Sequence, residues 1–330
     1  MGGMKTNGQF WRRAACAAAA AVAVWAAAGT ALGAKICRDP YIGAIVMDVE
    51  TGETLFEEGA DRPAYPASML KLMDMYVLLE KVGAGQLRLD QPVVISKGAM
   101  DMGGSQVYLD VRESMKYTVE DLMYALMIQS ANDAAVALAE AASLTRERFV
   151  AEMNATAREL GMSGVTRFIS PHGLPPKEGR PDMTTPRDFA KLCVALLRKH
   201  PEVLKYTSVT YRVFRPEPKL FEMRSHNPML EGATGGIPGC DGLKTGYFSD
   251  AGYSIALTVK APNGGRIVAV LMGCETKEAR NRAARAADSC VPGATARTSI
   301  WKSPSVRWLR MPKRAKSCSR LWRTARKRFW

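Results

Sequence analysis

Strand-like sequence lies at both ends of the central part of the chain, and helix-like sequence fills the region between them. Two early apolar runs flank a turn that contains Gly52, which is typical of a β-hairpin. Three late runs are separated by short polar turns, which predicts an antiparallel meander. The predicted strands cover residues 43–49, 54–57, 242–248, 252–260 and 266–272. This order predicts an α+β fold, in which one sheet joins the first and last strands around a helical insertion.

Helices dominate the middle of the chain. The predicted helices cover residues 68–80, 118–142, 144–161 and 185–199. Thr118, Thr145 and the segment 184–186 stand at helix starts, where a side-chain oxygen can accept from a backbone N–H that has no other partner. Along 68–80 the apolar residues occupy every side of the helix, which indicates burial in a large core.

The formal charge of +14 belongs to the two ends of the chain. Residues 1–34 carry three cations and no carboxylate, and residues 291–330 carry twelve cations and no carboxylate. Between them, residues 35–290 carry 31 cations and 32 carboxylates, so the body is nearly neutral. This balance argues against a basic face for phosphates on the folded region, and no nucleic-acid partner is expected.

The N-terminus has the pattern of a secretory signal peptide. Three cations precede an apolar run over 14–28, and small residues follow at 31–34. The apolar run has about 15 residues, short of the roughly 20 that span a bilayer. We therefore predict a cleaved signal peptide over residues 1–34 and an exported mature chain.

The basic tail, residues 291–330, differs abruptly from the body. It holds four of the six tryptophans, and the other two lie in the signal segment. Apolar residues recur at helical spacing from Cys318 to Phe329 opposite arginines and lysines, which is typical of a peripheral membrane helix. The alternative is out-of-frame or otherwise non-native sequence. Either interpretation predicts that the tail packs little against the body.

Ser68 and Lys71 place a hydroxyl and an amine one helical turn apart on the same face of a helix. A serine hydroxyl becomes a nucleophile only when a nearby base removes its proton. The same spacing recurs at 299–302, so the spacing alone is weak. A lysine on an otherwise apolar, buried helix is costly unless it has a partner or a catalytic role. That context favours Ser68 and Lys71.

Two further triplets follow along the chain. Segment 130–132, Ser-Ala-Asn, supplies a second hydroxyl and a carboxamide, although a chance match occurs at 225–227. Segment 244–246, Lys-Thr-Gly, occurs once, inside a predicted strand. Glycine at that point allows a ligand backbone to approach the strand edge. The three motifs in this order are far more specific than any one of them.

Together the motifs match the pattern of penicillin-binding proteins and serine β-lactamases. The chain resembles the low-molecular-mass penicillin-binding proteins of the serine D-alanyl-D-alanine carboxypeptidase family, peptidase S11-like. The likeness extends to segments 170–175, 183–188 and 240–247 and covers about residues 37–288. It implies a β-lactamase/transpeptidase-like fold, an antiparallel sheet flanked by helices with a helical subdomain, and a catalytic domain over residues 35–290.

The resemblance also implies roles for the motif residues. Ser68 is the acylated nucleophile, Lys71 its general base, and Ser130 the group that passes a proton to the leaving D-alanine. The implied substrate-binding residues are Asn132 at the substrate amide, Lys244 and Thr245 at the terminal carboxylate, and Gly246 and Tyr247 beside them. The backbone N–H groups of Ser68 and Tyr247 form the oxyanion hole. The resemblance calls for no metal and no cofactor.

Two histidines, His172 and His226, are interpreted as structural. The Pro-His-Gly segment is structural in the resembled family, and a lone histidine is more often a packing residue. Class A β-lactamases carry a Glu-x-x-Leu-Asn loop that activates the deacylating water, and residues 160–240 contain no such pattern. The resemblance therefore favours a carboxypeptidase that hydrolyses bound penicillin slowly.

The implied function is an exported DD-carboxypeptidase that removes the terminal D-alanine from peptidoglycan stem peptides, on the periplasmic or cell-wall side of the membrane. Its implied ligands are stem peptides and β-lactam antibiotics, the latter as inhibitors. A DD-endopeptidase that cleaves peptidoglycan cross-links uses the same motifs and stays open. A catalytically silent murein- or penicillin-binding protein is the alternative from another class.

Asp74 departs from the resembled family, which usually has threonine three residues after the motif lysine. On a helix, Asp74 lies about 4.5 Å further along the axis than Lys71. We expect the carboxylate to pair with the ammonium, which would raise the pKa of Lys71 and oppose its use as a base.

Export makes disulfides feasible. The ends of a meander place Cys240 and Cys274 at opposite ends of the sheet, so these two should not pair. If the first strand runs antiparallel to the last, as the resemblance implies, Cys37 and Cys274 share an end. A disulfide between Cys37 and Cys274 is expected in that case.

Overall fold

The computed structural model describes residues 35–261 and 264–288. The strands are β1 (Gly43–Asp48), β2 (Thr54–Glu58), β3 (Tyr211–Arg215), β4 (Phe221–Arg224), β5 (Cys240–Phe248), β6 (Gly252–Lys260) and β7 (Arg266–Cys274). The α-helices are α1 (Lys71–Gly83), α2 (Lys97–Met100), α3 (Val119–Ile128), α4 (Asn132–Ser143), α5 (Arg146–Glu159), α6 (Pro186–Lys199), α7 (Leu204–Thr207) and α8 (Lys277–Ala287). The predicted signal peptide over 1–34, the basic tail and Cys290 lie outside the described residues.

Five strands form one antiparallel sheet in the order β2-β1-β7-β6-β5. The predicted hairpin β1–β2 and the predicted meander β5–β6–β7 are confirmed. Strand β1 joins them by pairing antiparallel with β7, where Gly43 lies opposite Met272. Strand β5 is an edge strand, so its outer side is free to line a cleft. The small β3–β4 ribbon was not predicted, because its strands have only five and four residues and three of these nine residues are arginines.

Successive side chains along each strand point to opposite faces of the sheet, and both faces are buried. On β1, Ile45 packs into the larger core, whereas Ala44 and Val46 pack into a smaller core that includes residues of α8. Helix α1 lies in the larger core, and all of its residues from Lys71 to Leu79 are buried. The prediction of a helix buried on every side is confirmed.

The helix predicted over 118–142 is broken in the structure. Helix α3 ends at Ile128, α4 begins at Asn132, and Ser130 between them has a φ of +60°. This left-handed conformation is unfavourable for a residue other than glycine, so helical spacing does not predict it. The predicted caps are confirmed: the hydroxyl oxygens of Thr118, Thr145 and Thr185 each accept from a backbone N–H in the first turn of the helix that follows.

Cys37 and Cys274 lie at the same end of the sheet, because β1 and β7 are antiparallel. Both thiols are nevertheless free, so the expected disulfide is wrong for this structure. Cys240 is free as well, and the prediction that it does not pair with Cys274 is confirmed. Within residues 35–261 and 264–288, no helix is both long and apolar enough to cross a bilayer.

Candidate active site

Ser68 lies in a single 3₁₀ turn, Ala67–Leu70, that runs directly into α1. Helical spacing predicts one regular helix from residue 68, whereas the structure begins with this tighter turn. Ser68 is partly exposed, whereas Lys71, the first residue of α1, is fully buried. The Lys71 Nζ lies 3.0 Å from the Ser68 Oγ. The structure therefore places the predicted base within hydrogen-bond distance of the predicted nucleophile.

Three acceptors surround the amine of Lys71. Besides Ser68, the Nζ donates to Asn132 Oδ1 at 2.8 Å and to the backbone carbonyl of His172 at 2.7 Å. An ammonium has three N–H groups, whereas a neutral amine has two N–H groups and one lone pair. With the two shorter hydrogen bonds retained, the lone pair of a neutral Lys71 points at the hydroxyl of Ser68. A neutral amine in this position can therefore accept the hydroxyl proton of Ser68.

Burial lowers the pKa of Lys71 to about 8, because an ammonium without water is costly. The carboxyl groups of Asp74, Asp182 and Asp133 act in the opposite direction and raise this pKa. A pKa near neutrality leaves part of the lysine population unprotonated under physiological conditions, as a general base requires.

Asp74 does not form the expected ion pair. The Nζ of Lys71 makes its hydrogen bonds elsewhere, and both carboxyl oxygens of Asp74 are buried without a hydrogen-bond partner among the described residues. Burial raises the pKa of Asp74 well above its usual range, and Lys71 opposes that shift. The expectation of a direct pair is wrong, and the net shift of Lys71 is downward. Asp74 still raises the pKa of Lys71 through space.

Ser130 and Asn132 flank the break between α3 and α4. The Oγ of Ser130 is buried and has no hydrogen-bond partner among the described residues, although Ser130 lines the cleft beside Ser68. The side chain of Asn132 accepts from Lys71 and donates from Nδ2 to the carbonyl of Gly103 at 2.8 Å. One N–H of this amide is therefore left over for a ligand.

A loop on the other side of Lys71 supplies the carbonyl of His172. The carboxyl group of Asp182 holds this loop by accepting from the backbone N–H and the hydroxyl of Ser170. Gly173 has a φ of +77°, and a Cβ there would come within 2.3 Å of the carbonyl oxygen of Ala67. Only glycine allows the loop to approach the Ser68 turn so closely. The sequence analysis did not identify this backbone contact.

The edge strand β5 carries the third motif. Lys244 is buried, and its Nζ donates to the carbonyl of Thr245 at 3.1 Å. Burial, and then the charges of Lys71 and Arg280, lower the pKa of Lys244 well below its usual range. Thr245, Gly246 and the half-exposed Tyr247 line the cleft.

Gly246 is needed for packing between β5 and the Ser68 turn. A Cβ at this position would lie 2.5 Å from the carbonyl oxygen of Pro66 and 3.2 Å from the backbone nitrogen of Met69. From the sequence, this glycine is predicted to let a ligand backbone approach the strand edge. In the structure, the backbone that approaches it is the protein's own.

A buried, charged residue that lines the cleft was missed. Arg280 on α8 is 3% exposed, lines the cleft, and is close enough to Lys244 to lower its pKa. The signal was present in the sequence, because Arg280 shares the buried, alanine-rich face of α8 with Ala283, Ala284 and Ala287. A charged residue on an apolar helix face is costly unless it has a function or a partner.

The two histidines do not have the properties of acid–base groups. Burial, together with nearby cations, lowers the pKa of both His172 and His226 to about 4, so both rings are neutral near pH 7. The Nδ1 of His172 accepts from the backbone N–H of Leu174 at 3.1 Å. The contribution of His172 to the site is its backbone carbonyl.

The site forms one cleft of about 730 Å³ between the helical region and the edge strand β5. Residues of all three motifs line it: Ser68, Ser130, Asn132, Thr245, Gly246 and Tyr247. The buried amines of Lys71 and Lys244 stand behind this lining. A partly exposed hydroxyl beside a low-pKa amine, a second free hydroxyl and buried cations are suited to acyl transfer from a substrate that carries a carboxylate.

Comparison with known proteins agrees with this geometry. The chain is 35% identical over 240 residues to the D-alanyl-D-alanine carboxypeptidase DacF of Bacillus subtilis, a match that covers 72% of this chain and 58% of that protein. It is 30% identical over 218 residues to a D-alanyl-D-alanine endopeptidase of Pseudomonas aeruginosa, with 65% of each chain covered. The chain thus spans less than two thirds of the length of these curated relatives.

Among solved structures, the ampicillin-bound form of penicillin-binding protein D2 from Listeria monocytogenes superposes with a TM-score of 0.66 at 32% identity. That match covers 76% of this chain and 96% of the other. The predicted β-lactamase/transpeptidase-like fold is therefore confirmed. The family model for D-alanyl-D-alanine carboxypeptidases matches residues 42–276, and the chain accordingly belongs to the D-alanyl-D-alanine carboxypeptidase family, peptidase S11.

Proposed function

We propose that the protein is a serine DD-carboxypeptidase that removes the terminal D-alanine from peptidoglycan stem peptides. The observation that carries the proposal is the environment of Lys71. Its amine is 3.0 Å from the hydroxyl of Ser68, is held by two further acceptors, and has a pKa of about 8. These are the requirements for a serine nucleophile activated by a neutral lysine.

Acylation begins when the Ser68 Oγ attacks the carbonyl carbon of the penultimate D-alanine. Lys71 takes the hydroxyl proton as the new C–O bond forms. The backbone N–H groups of Ser68 and Tyr247 are proposed to stabilise the oxyanion. Ser130 then gives its hydroxyl proton to the amide nitrogen as the C–N bond breaks and D-alanine leaves, and the proton held by Lys71 returns to Ser130, which restores both groups. Its unpartnered buried hydroxyl supports this role for Ser130.

Recognition of the leaving D-alanine is assigned to the cations of the cleft. Lys244 and Arg280 are both almost fully buried, and Arg280 is close enough to Lys244 for its charge to lower the pKa of that lysine. A carboxylate bound there compensates their charges and gains strong, charge-assisted hydrogen bonds. Thr245 adds a hydroxyl donor. Water then hydrolyses the ester on Ser68 and releases the shortened peptide.

We assign this activity to a catalytic domain over residues 35–290. Because the substrate class lies outside the cytoplasm, the signal peptide predicted over 1–34 is assigned to export to the periplasm. The basic tail is assigned to peripheral contact with the membrane. The fold shared with an ampicillin-bound protein supports β-lactam binding at Ser68.

A DD-endopeptidase is the second candidate. One relative at 30% identity is a D-alanyl-D-alanine endopeptidase. Both activities use the same nucleophile and differ in the size of the leaving group.

Labelling with a fluorescent penicillin tests the nucleophile. We expect a stable adduct, located by mass spectrometry on the peptide that contains Ser68, and release of D-alanine from a pentapeptide that ends in D-alanyl-D-alanine. Ser68→Ala should abolish both. The matched control is Ser208→Ala, because Ser208 is exposed and its hydroxyl only donates to the carbonyl of Leu204. Labelling that survives in Ser68→Ala would contradict the assignment.

A further inference from the structure

The cleft continues past the proposed carboxylate site. We call this part the leaving-group lobe, and it is lined by His226, Asn227 and Ala233 on one side and by Lys277 and Arg280 of α8 on the other. The two sides are held together where Arg285 of α8 donates to the carbonyl of Gly235. The lobe is therefore built from packed elements.

The lobe lies on the leaving-group side of the scissile bond. The carboxylate assigned to Lys244 and Arg280 belongs to the residue that leaves, and Arg280 is itself part of the lobe. His226 lies near these cations and also near the base Lys71, since burial and then the charges of Lys244, Lys277, Lys71 and Arg280 lower its pKa. The acyl side of the substrate has a separate wall near Asn132, formed by Gly104 and Leu174.

Apart from the neutral ring of His226, which offers one donor and one acceptor, the polar side chains of the lobe are those of Lys277, Arg280 and Asn227. Lys277 and Arg280 are cations three residues apart on one face of α8, and no aspartate or glutamate among the described residues lines the cleft. Asn227 is 4% exposed, and its Oδ1 accepts from the backbone N–H of Met229. Its Nδ2 is buried without a hydrogen-bond partner in the described part of the chain. A ligand that fits these groups must supply acceptors and negative charge.

One carboxylate on a leaving D-alanine does not use all of these donors. Lys277 is exposed at the rim and makes no ion pair with another described residue. We propose that the leaving-group lobe recognises a second carboxylate, so that the enzyme accepts leaving residues that are D-configured and carry a further acidic group. This inference rests on the proposed function and names the class of leaving group. Acidic peptides released from a cross-link belong to that class.

Two peptides test this specificity, diacetyl-L-lysyl-D-alanyl-D-alanine and the same peptide with D-glutamate as the last residue. The ratio of their kcat/KM values reports on the second carboxylate alone. Lys277→Glu should lower the D-glutamate to D-alanine ratio at least fivefold at low ionic strength. The effect should shrink at high salt, because exposed charges are screened. Lys260→Glu is the matched control, because Lys260 is exposed at the other end of β6 from the cleft residue Tyr253.

Asn227→Asp is the second variant. It keeps the oxygen that accepts from Met229 and replaces the unpartnered donor with an acceptor. It should lower the same ratio. An unchanged ratio in both variants, with normal penicillin labelling and D-alanine release, would overturn the inference and leave the proposed function intact. Absence of penicillin labelling and of hydrolysis of either peptide in the unmodified protein would overturn both.

Discussion

Asp74→Thr should shift the pH profile of acylation, so that the rise in rate with pH occurs at lower pH. Asp74 is 2% exposed, lies one helical turn from Lys71 and raises the pKa of that lysine through space. Threonine removes the negative charge and fits the same helix position. Lys71 then loses an interaction that favours its protonated form, so more of it is a free base at neutral pH.

The size of the shift follows from Coulomb's law. Side chains three residues apart on a helix lie about 6 Å from each other. Two unit charges at that distance interact by about 3 kcal/mol at an effective dielectric constant of about 20, equivalent to about 2 pKa units. We expect about half of that, about one unit, because burial raises the pKa of Asp74 and so favours its neutral form. A fall in the Lys71 pKa from about 8 to about 7 raises the free-base fraction at pH 7 about fivefold.

The assay is the second-order rate of acylation by a fluorescent penicillin between pH 5.5 and 9.5. Asp74→Thr should be about fivefold faster than the unmodified protein at pH 7 and equal to it near pH 9.5. Asp74→Asn keeps the shape of the side chain and should shift the pH profile in the same direction. Asp90→Thr serves as a control for removal of an exposed carboxylate. If the acylation rate rises at the same pH in both Asp74 variants as in the unmodified protein, the electrostatic coupling between Asp74 and Lys71 is refuted.

Three further predictions concern stability, loop geometry and the tail. The pKa of Asp74 is higher in the folded than in the unfolded state, so ionisation of Asp74 destabilises the fold as the pH rises above about 4. Asp74→Thr should therefore have a higher melting temperature than the unmodified protein, and the difference should increase from pH 4 to pH 7. Gly173→Ala should slow penicillin acylation at least tenfold, since its Cβ would displace the loop that holds the His172 carbonyl on Lys71; an unchanged rate would show that this hydrogen bond is dispensable. Deletion of residues 291–330 should leave the acylation rate within about twofold, and flotation with anionic liposomes should show salt-sensitive binding that the deletion abolishes; no binding by the full chain would favour the non-native interpretation of the tail.

The fold could be predicted from the sequence where local pattern and tertiary structure agree. Alternation and turn residues predict β5, β6 and β7, and the caps at Thr118 and Thr145 predict helix starts. The break at Ser130 could not be predicted, because its left-handed backbone is imposed by the contacts of α3 and α4 and costs energy locally. Strain of this kind is concentrated at functional sites.

The sequence predicts candidate site residues whose side chains would react or bind. It does not predict groups that act through the backbone or that come from a distant helix. Ser68 and Lys71 are recognisable by their spacing only together with the apolar helix that carries them and the two motifs that follow. The carbonyl of His172 is not, because every residue has one and only the loop geometry directs it at Lys71. The spacing of Asp74 and Lys71 predicts an ion pair. A spacing of three residues does not, however, determine the direction in which a buried carboxyl group points.

Two buried lysines in one cleft raise the question of which one becomes the base. The charge of Lys71 lowers the pKa of Lys244. A charge on Lys244 must also lower the pKa of Lys71, because the repulsion between the two ammonium groups is one shared energy. Three nearby carboxyl groups raise the pKa of Lys71. A substrate carboxylate bound at Lys244 favours the charged form of Lys244. The negative charge of the bound carboxylate offsets this positive charge at Lys71, so binding keeps Lys244 protonated and leaves Lys71, 3.0 Å from the Ser68 Oγ, as the amine that can be neutral.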